Sequence, residues 1–290
     1  MAPKTKKRRL DDELVEQGYA ADRAAALRLV LAGSVSLGGE RLTSVGAQIP
    51  VGAPVHVRGS QRMSAQGHGV YVSRGGLKLE GALASFGLDP TGCNCLDVGC
   101  STGGFTDCLL KLGARRVAAV DVGYGQFDWG LRGDDRVALF ERTNICDADA
   151  ASLGAPFDIA VADVSFTSVE HILPAVCDLL GENGCFCTLV KPQFEAARDE
   201  VGAGGVVRDP AVHRRVLARV VEGFLAGPLG VAGLCVSPVH GAKGNVEYFL
   251  LARRGVASVP VSIDDVVDQA WGGTGYAAQM PVNDQKDGGQ

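Results

Sequence analysis

The stretch Cys95-Leu96-Asp97-Val98-Gly99-Cys100-Ser101-Thr102-Gly103-Gly104-Phe105 decides how the rest of this chain is read. Cys95 to Val98 is a short apolar strand with Asp97 near its carboxyl end. A glycine turn follows, then a helix predicted from about Phe105 to Leu112. Glycines at such a turn let the backbone approach a ligand where a Cβ would collide. Open α/β sheets bind their ligands at this kind of strand-to-helix crossing. The spacing is neither the phosphate-cradling G-x-x-x-x-G-K-[ST], since no Lys follows the glycines, nor a clean G-x-G-x-x-G.

Working outward, Val117 to Val120 form a second short strand that ends in Asp121. An acid at that position can accept both hydroxyls of a ribose. A glycine turn without a phosphate-binding Lys, followed by a ribose acid, suits S-adenosylmethionine, which carries a ribose and no phosphate. Asn144, at the end of the third strand, is placed to meet an adenine edge. Further strands are predicted at 137–141, 158–162, 185–190, 232–237 and 246–252. Helices are predicted near 75–86, 105–112, 126–132, 168–180 and 210–226. Strands alternating with helices give a mostly parallel sheet covered on both faces.

The 290 residues allow one large domain and a small one, and 46% apolar residues suffice for a sizeable core. No apolar run approaches the ~20 residues that cross a bilayer. The basic N-terminus (Lys4, Lys6, Lys7, Arg8, Arg9) is followed by no apolar segment, so it does not read as a secretory signal. A cytoplasmic protein without a membrane partner is the expectation. Nine cysteines, an odd number, cannot form a fully paired disulfide framework. Cys93, Cys95, Cys100 and Cys108 lack C-x-x-C spacing, so no metal site is expected.

Residues 8–59 read as a separate α+β unit. Arg9 to Gln17 is a short helix, and Asp22 can cap a second that runs to Leu31 and ends at Gly33. Val35-Ser36-Leu37, Gly38-Gly39 and Glu40-Arg41-Leu42 read as a hairpin, with a third strand at Val55-His56-Val57. Residues 1–60 carry nine Lys/Arg against six Asp/Glu, a balance of +3 on a chain whose net charge is −5. Either the module meets a polyanion or a short segment shows a charge fluctuation. The order of elements resembles the S4 RNA-binding domain. That likeness makes Lys6, Lys7, Arg8, Arg9, Arg23, Arg28 and Arg41 the candidate RNA-binding residues, with recognition of RNA shape through phosphate and 2′-hydroxyl contacts. Residues 60–70 read as a linker. Ser262-Ile263-Asp264-Asp265 starts a short helix through Trp271, and the rest of 255–290 thins into a polar tail expected to be disordered.

Four charged residues stand where a sheet enzyme places chemistry. Lys78 lies in the first turn of the helix after the linker, Asp163 and Lys191 follow strands, and Glu247 opens one. The segments Ser73–Leu79, Asp97–Thr106, Asp121–Gln126, Glu141–Asn144, Val161–Phe166, Leu189–Glu195 and Gly244–Phe249 together resemble the TlyA family. This is a family of S-adenosylmethionine-dependent rRNA 2′-O-methyltransferases with an N-terminal S4 domain and an FtsJ-type, Rossmann-like catalytic domain, here over 71–254. The resemblance implies ribosomal RNA or ribosomal subunits as partner, a cytidine as target, S-adenosylmethionine as cofactor, and a catalytic tetrad of Lys78, Asp163, Lys191 and Glu247. It implies cofactor binding by Asp97, Gly99, Ser101, Thr102, Gly103, Gly104, Phe105, Asp121, Asn144 and Asp163. Cys100 stands where a smaller residue is expected.

The tetrad makes chemical sense. A ribose hydroxyl is a poor nucleophile at neutral pH, so the enzyme must orient its oxygen and help its proton leave. An amine serves only if burial or neighbouring positive charge favours its neutral form. Lys191 reads as the central residue with Lys78 beside it, and either amine can take the proton. Phe105, Phe166 and Phe194 line a pocket or fill the core. Gly202 to Val207 either closes over RNA or connects elements. Members of the family are also called haemolysins, so a pore-former is an alternative, as is a non-catalytic ribosome-assembly factor. The lack of a strong amphipathic helix speaks against the first and the intact tetrad against the second.

Overall fold

Leu10 and Leu14 lie one helical turn apart and are fully buried, which fixes the inner face of the first helix. The structure, a computed structural model, describes residues 7–17, 19–20, 22–51, 53, 55–57 and 71–272. Lys6, the expected linker over 60–70 and the tail beyond Gly272 lie outside the described residues. The chain divides into two units between Gly76 and Leu77.

In the first unit, β1 (Lys7–Arg9) leads into α1 (Leu10–Glu16). The Asp22 carboxylate accepts from Ala25 N at 2.7 Å and caps α2 (Arg23–Leu31). Gly33, at φ 64°, follows the helix as its left-handed terminator. β2 (Val35–Leu37) and β3 (Glu40–Arg41) form a hairpin on Gly38-Gly39, both at positive φ as such a two-residue turn needs. β4 (Gln48–Pro50) pairs with β1, and β5 (Val55–Val57) pairs with β2. The β1–β4 pair has no counterpart in the sequence expectations, because both strands are three residues long and mostly exposed.

The second unit is built on one sheet. After α3 (Arg74–Phe86) come β6 (Asn94–Val98), α4 (Gly104–Lys111), β7 (Arg116–Val120), α5 (Trp129–Arg132), β8 (Val137–Phe140), α6 (Ala150–Leu153) and β9 (Phe157–Ala162). Then follow α7 (Val169–Leu179), β10 (Leu180–Val190), α8 (Pro192–Glu195), α9 (Pro210–Leu225), β11 (Leu229–Val236), β12 (Tyr248–Arg254) and α10 (Ile263–Gly272). The strand order is β11-β12-β10-β9-β6-β7-β8. β8, β7, β6, β9 and β10 are parallel, whereas β12 runs antiparallel between β10 and β11. The chain runs outward from β6 to β8, then returns to place β9 on the other side of β6. The carboxyl ends of β6 and β9 therefore flank a topological switch point, where open α/β sheets bind ligands. β6 is buried along its whole length and β9 everywhere but Asp158, as strands covered by helices on both faces must be.

Among the boundaries that differ from the sequence expectation, three bear on what surrounds the switch point. The helix expected over 126–132 is a single turn, because the Asp128 carboxylate accepts from Gly130 N at 2.7 Å and starts the helix there. β10 begins at Leu180, with a register shift before Cys185. Lys78 is the fifth residue of α3, one turn in from its start at Arg74, so the helix dipole acts on it only weakly.

The register pairs Val98 with Ala162, which sets Gly99 beside Asp163. Gly99 has φ 79°, and a Cβ there would lie 2.8 Å from the Asp163 carbonyl oxygen. Gly99→Ala should cost roughly 2–4 kcal/mol from the left-handed backbone and the overlap. That corresponds to a fall of about 5–15 °C in melting temperature for a unit of this size. A calorimetric melt within a degree or two of wild type would contradict this reading of the turn.

Candidate active site

The glycine turn is held from behind by β7. Gly99 N and Cys100 N donate to Val120 O at 2.8 and 3.2 Å. Ser101, at φ 48°, donates its N–H to Asp121 Oδ2 at 2.7 Å, and Gly123 N donates to Asp121 Oδ1 at 2.6 Å. Asp121 thus ties the turn after β6 to the turn after β7 and keeps lone pairs on both oxygens. Asp97 is fully buried beneath the turn. Its Oδ2 accepts from Thr106 Oγ1 at 2.6 Å, while Oδ1 is buried without a hydrogen-bond partner among the described residues. Burial pushes the Asp97 carboxyl up to about 7 against the Thr106 hydrogen bond, and the charge of Asp163 adds to the rise.

A cavity of about 390 Å³ opens at the switch point, lined among others by Gly99, Ser101, Asp121, Asn144, Asp163 and Phe166. That volume is in the range of small-molecule sites. The Asn144 side-chain oxygen accepts from Cys146 N at 3.1 Å, which leaves its amide nitrogen as a donor. Asp97, Thr102, Gly103, Gly104 and Phe105 stand outside the lining. Phe105 is 3% exposed and stacks on Phe249 with ring centroids 6.0 Å apart. The structure places its ring in the core under β12.

The four predicted charges form two ion pairs. Lys78 Nζ donates to Glu247 Oε2 at 2.5 Å. Lys191 Nζ lies 2.5 Å from Asp163 Oδ1 and donates to Ser165 Oγ at 2.9 Å. Lys78, Lys191 and Glu247 are buried, whereas the Asp163 side chain keeps 24% of its surface at the cavity. Glu247 stands one residue before β12, not within it. Pro192 directly after Lys191 opens α8, a single turn whose side chains diverge. Gln193 Nε2 donates to Glu247 Oε1 at 3.0 Å. The Phe194 ring lies 4.9 Å from that of Phe166 and 5.6 Å from Lys191 Nζ. Glu195 accepts from Val169 N at 2.8 Å and from Arg219 at 2.9 Å, which fixes the start of α7. Phe166 itself is 91% exposed at φ 63°.

Ser165, Gln193 and Glu195 are the contributors that sequence reasoning passed over. All three lie inside the motifs quoted above, but an uncharged polar side chain or an acid away from a strand end signals no chemistry alone. The Gly202–Val207 loop is fastened to the segment that leads to Glu247. Asn245 accepts from Val207 N at 3.2 Å and donates to Gly205 O at 2.9 Å, and Lys243 donates to Gly204 O at 2.6 Å.

In the first unit several candidate RNA-binding residues are occupied by acids. Arg8 pairs with Glu13 and Glu16 at 3.1 and 3.2 Å, Arg9 with Asp11 at 2.6 Å, and Arg23 with Asp12 at 2.6 Å. Lys7, Arg28 and Arg41 are exposed, and the last two form no ion pair among the described residues.

A switch-point cavity with a carboxylate after the second strand, and buried lysine–carboxylate pairs beside it, defines a methyltransferase of the Rossmann-like class. The chain belongs to the FtsJ-like methyltransferase family, whose profile matches residues 71–254. It is 42% identical over 248 residues to the 16S/23S rRNA (cytidine-2'-O)-methyltransferase TlyA of Mycobacterium tuberculosis, covering 84% of this chain and 89% of that protein. It is 37% identical over 241 residues to Hemolysin A of Brachyspira hyodysenteriae, covering 83% and 97%. Among solved structures, a hemolysin-named protein of Streptococcus thermophilus superimposes with a TM-score of 0.68 at 40% identity, covering 92% of this chain and 97% of that one.

The raised Asp97 carboxyl has a thermodynamic consequence. Between about pH 4 and 7 the folded protein holds this proton while the unfolded chain has lost it, so the contribution of Asp97 to stability falls as pH rises through that window. Asp97→Asn cannot ionise. Its stability relative to wild type should therefore increase from about pH 4 to about pH 7 and level off above. Urea unfolding of both proteins across that range is the check, and a pH-independent difference would contradict the assignment.

Proposed function

We propose that this protein methylates the 2′-hydroxyl of a cytidine in ribosomal RNA, in the cytoplasm, with S-adenosylmethionine as donor. The observation that carries the reading is Lys191, a buried amine held by Asp163 and Ser165, both of which line the cavity. The relatives named TlyA support the substrate. The residues present fit the cofactor. Asp121 offers carboxylate lone pairs to a ribose, Asn144 offers an amide donor to an adenine, and the unpartnered Asp97 oxygen lies beneath the turn ready for a donor. When bound, S-adenosylmethionine supplies a methyl group already activated on a sulfonium.

The chain's own residues then supply orientation and proton transfer. The Lys191–Asp163 pair would orient the 2′-hydroxyl and take up its proton, the ammonium proton passing to the carboxylate as the amine receives the one from the hydroxyl. Asp163 and Ser165 aim the amine. Lys78 and Glu247 form the second pair of the tetrad. Phe166 and Phe194 wall the approach. The first unit acts as an S4-type RNA-binding module through Lys7, Arg28 and Arg41, with Arg8, Arg9 and Arg23 able to exchange their carboxylates for phosphate oxygens. No helix among the described residues is long and apolar enough to cross a membrane.

Single-turnover methyl transfer to ribosomal subunits tests this assignment. Lys191→Ala should lower the rate by about 10²–10⁴ from lost proton transfer, with cofactor affinity close to wild type and a melting temperature lowered by the unpaired Asp163 carboxylate. A folded Lys191→Ala protein with near-normal transfer would remove Lys191 and point to Lys78. A second expectation concerns the first unit. Arg28→Ala with Arg41→Ala should weaken subunit binding and flatten its dependence on the logarithm of salt concentration by about one unit per residue. An unchanged salt slope, measured by filter binding, would move the RNA contacts elsewhere.

A further inference from the structure

We propose that Gln193 is a positioning residue for methyl transfer: its side-chain amide holds Glu247 in place against Lys78. This rests on the proposed reaction. Gln193 follows Lys191 by two residues on α8, so one helical turn ties the Lys191–Asp163 pair to the Lys78–Glu247 pair. Among the described residues each Glu247 oxygen has one donor: Lys78 Nζ at 2.5 Å on Oε2 and Gln193 Nε2 at 3.0 Å on Oε1. Gly241 abuts the same carboxylate, and a Cβ there would overlap it. The carboxylate has little room to turn unless one of these donors lets go.

The other end of the amide carries the second observation. Gln193 Oε1 is buried and has no hydrogen-bond partner among the described residues. An amide placed only for packing would be satisfied at both ends or face water. A carboxylate accepts and cannot donate, so Glu247 imposes the orientation that turns Nε2 toward it and leaves Oε1 without a donor. The amide is set by the charge of Glu247.

The test is a double-substitution cycle with Gln193→Met and Glu247→Gln, read by single-turnover transfer to ribosomal subunits and by cofactor affinity. Gln193→Met should lower the transfer rate about tenfold or more, with subunit KM and cofactor Kd changed by less than about threefold. In the Glu247→Gln background it should lower the rate no further, because the two side chains act as one unit. Independent, multiplicative losses would overturn the proposal, as would a raised KM with an intact rate. Gln193→Glu keeps the shape and removes the donor. Assayed above neutral pH it should lose at least as much as Gln193→Met, and wild-type rates from it would assign Gln193 to packing.

A substrate-free arm separates this proposal from the reaction it rests on. In protein labelled with 15N-glutamine, the Gln193 side-chain amide signal, identified by its loss in Gln193→Met, should move markedly upfield in Glu247→Ala. An unmoved signal would overturn the contact. Wild-type protein that transfers no methyl group would instead count against the proposed function, with the amide signal still deciding the contact.

Discussion

A lysine ammonium taken out of water is tolerable only against a partner that replaces its hydration. Two such lysines are buried at the carboxyl edge of this sheet, and each meets one carboxylate. Removing one member of a buried pair typically costs about 3–5 kcal/mol, because the other is left charged and dry. The four side chains come from α3, the end of β9, the end of β10 and the segment before β12. Those four places must keep their relative register for any of the charges to be held. The antiparallel insertion of β12 between β10 and β11 brings Glu247 to the edge where Asp163 and Lys191 already stand.

The turn that follows Lys191 distributes this constraint. Lys191, Gln193, Phe194 and Glu195 contact Asp163, Glu247, Phe166 and Val169 in succession. Pro192 fixes the entry to the turn, and Arg219 on α9 anchors its far end through Glu195. Behind Glu247, the Tyr248 hydroxyl and His213 of α9 lie 2.9 Å apart, and His213 also reaches the Val207 carbonyl. Burial holds that histidine below its ordinary value, so it sits there as a neutral link between α9, β12 and the glycine-rich loop.

Much of this arrangement is legible in the sequence. The run from Cys95 to Phe105 reads as strand, turn and helix because its apolar residues, glycines and small polar residues fall in that order. Asp163 and Lys191 read as edge residues because apolar strands precede them. What escapes the sequence is pairing between distant segments. Arg8, Arg9 and Arg23 look like free basic residues until folding sets them against Glu13, Asp11 and Asp12. Phe105 sits in the ligand-binding motif yet faces Phe249, because the helix after the turn rotates it inward. Gln193 carries no charge and no periodic signal, and only the approach of β12 gives it a partner. The strand order, with β9 returning beside β6, likewise depends on a crossover that local patterns do not encode.

The central claim is that the paired lysines serve a ribose oxygen. The most direct measurement transfers a labelled methyl group from S-adenosylmethionine to intact ribosomal subunits, digests the RNA to nucleosides and locates the label. The account predicts label in 2′-O-methylcytidine from ribosomal RNA. Label on a base, or on ribosomal protein with none on ribose, would contradict it.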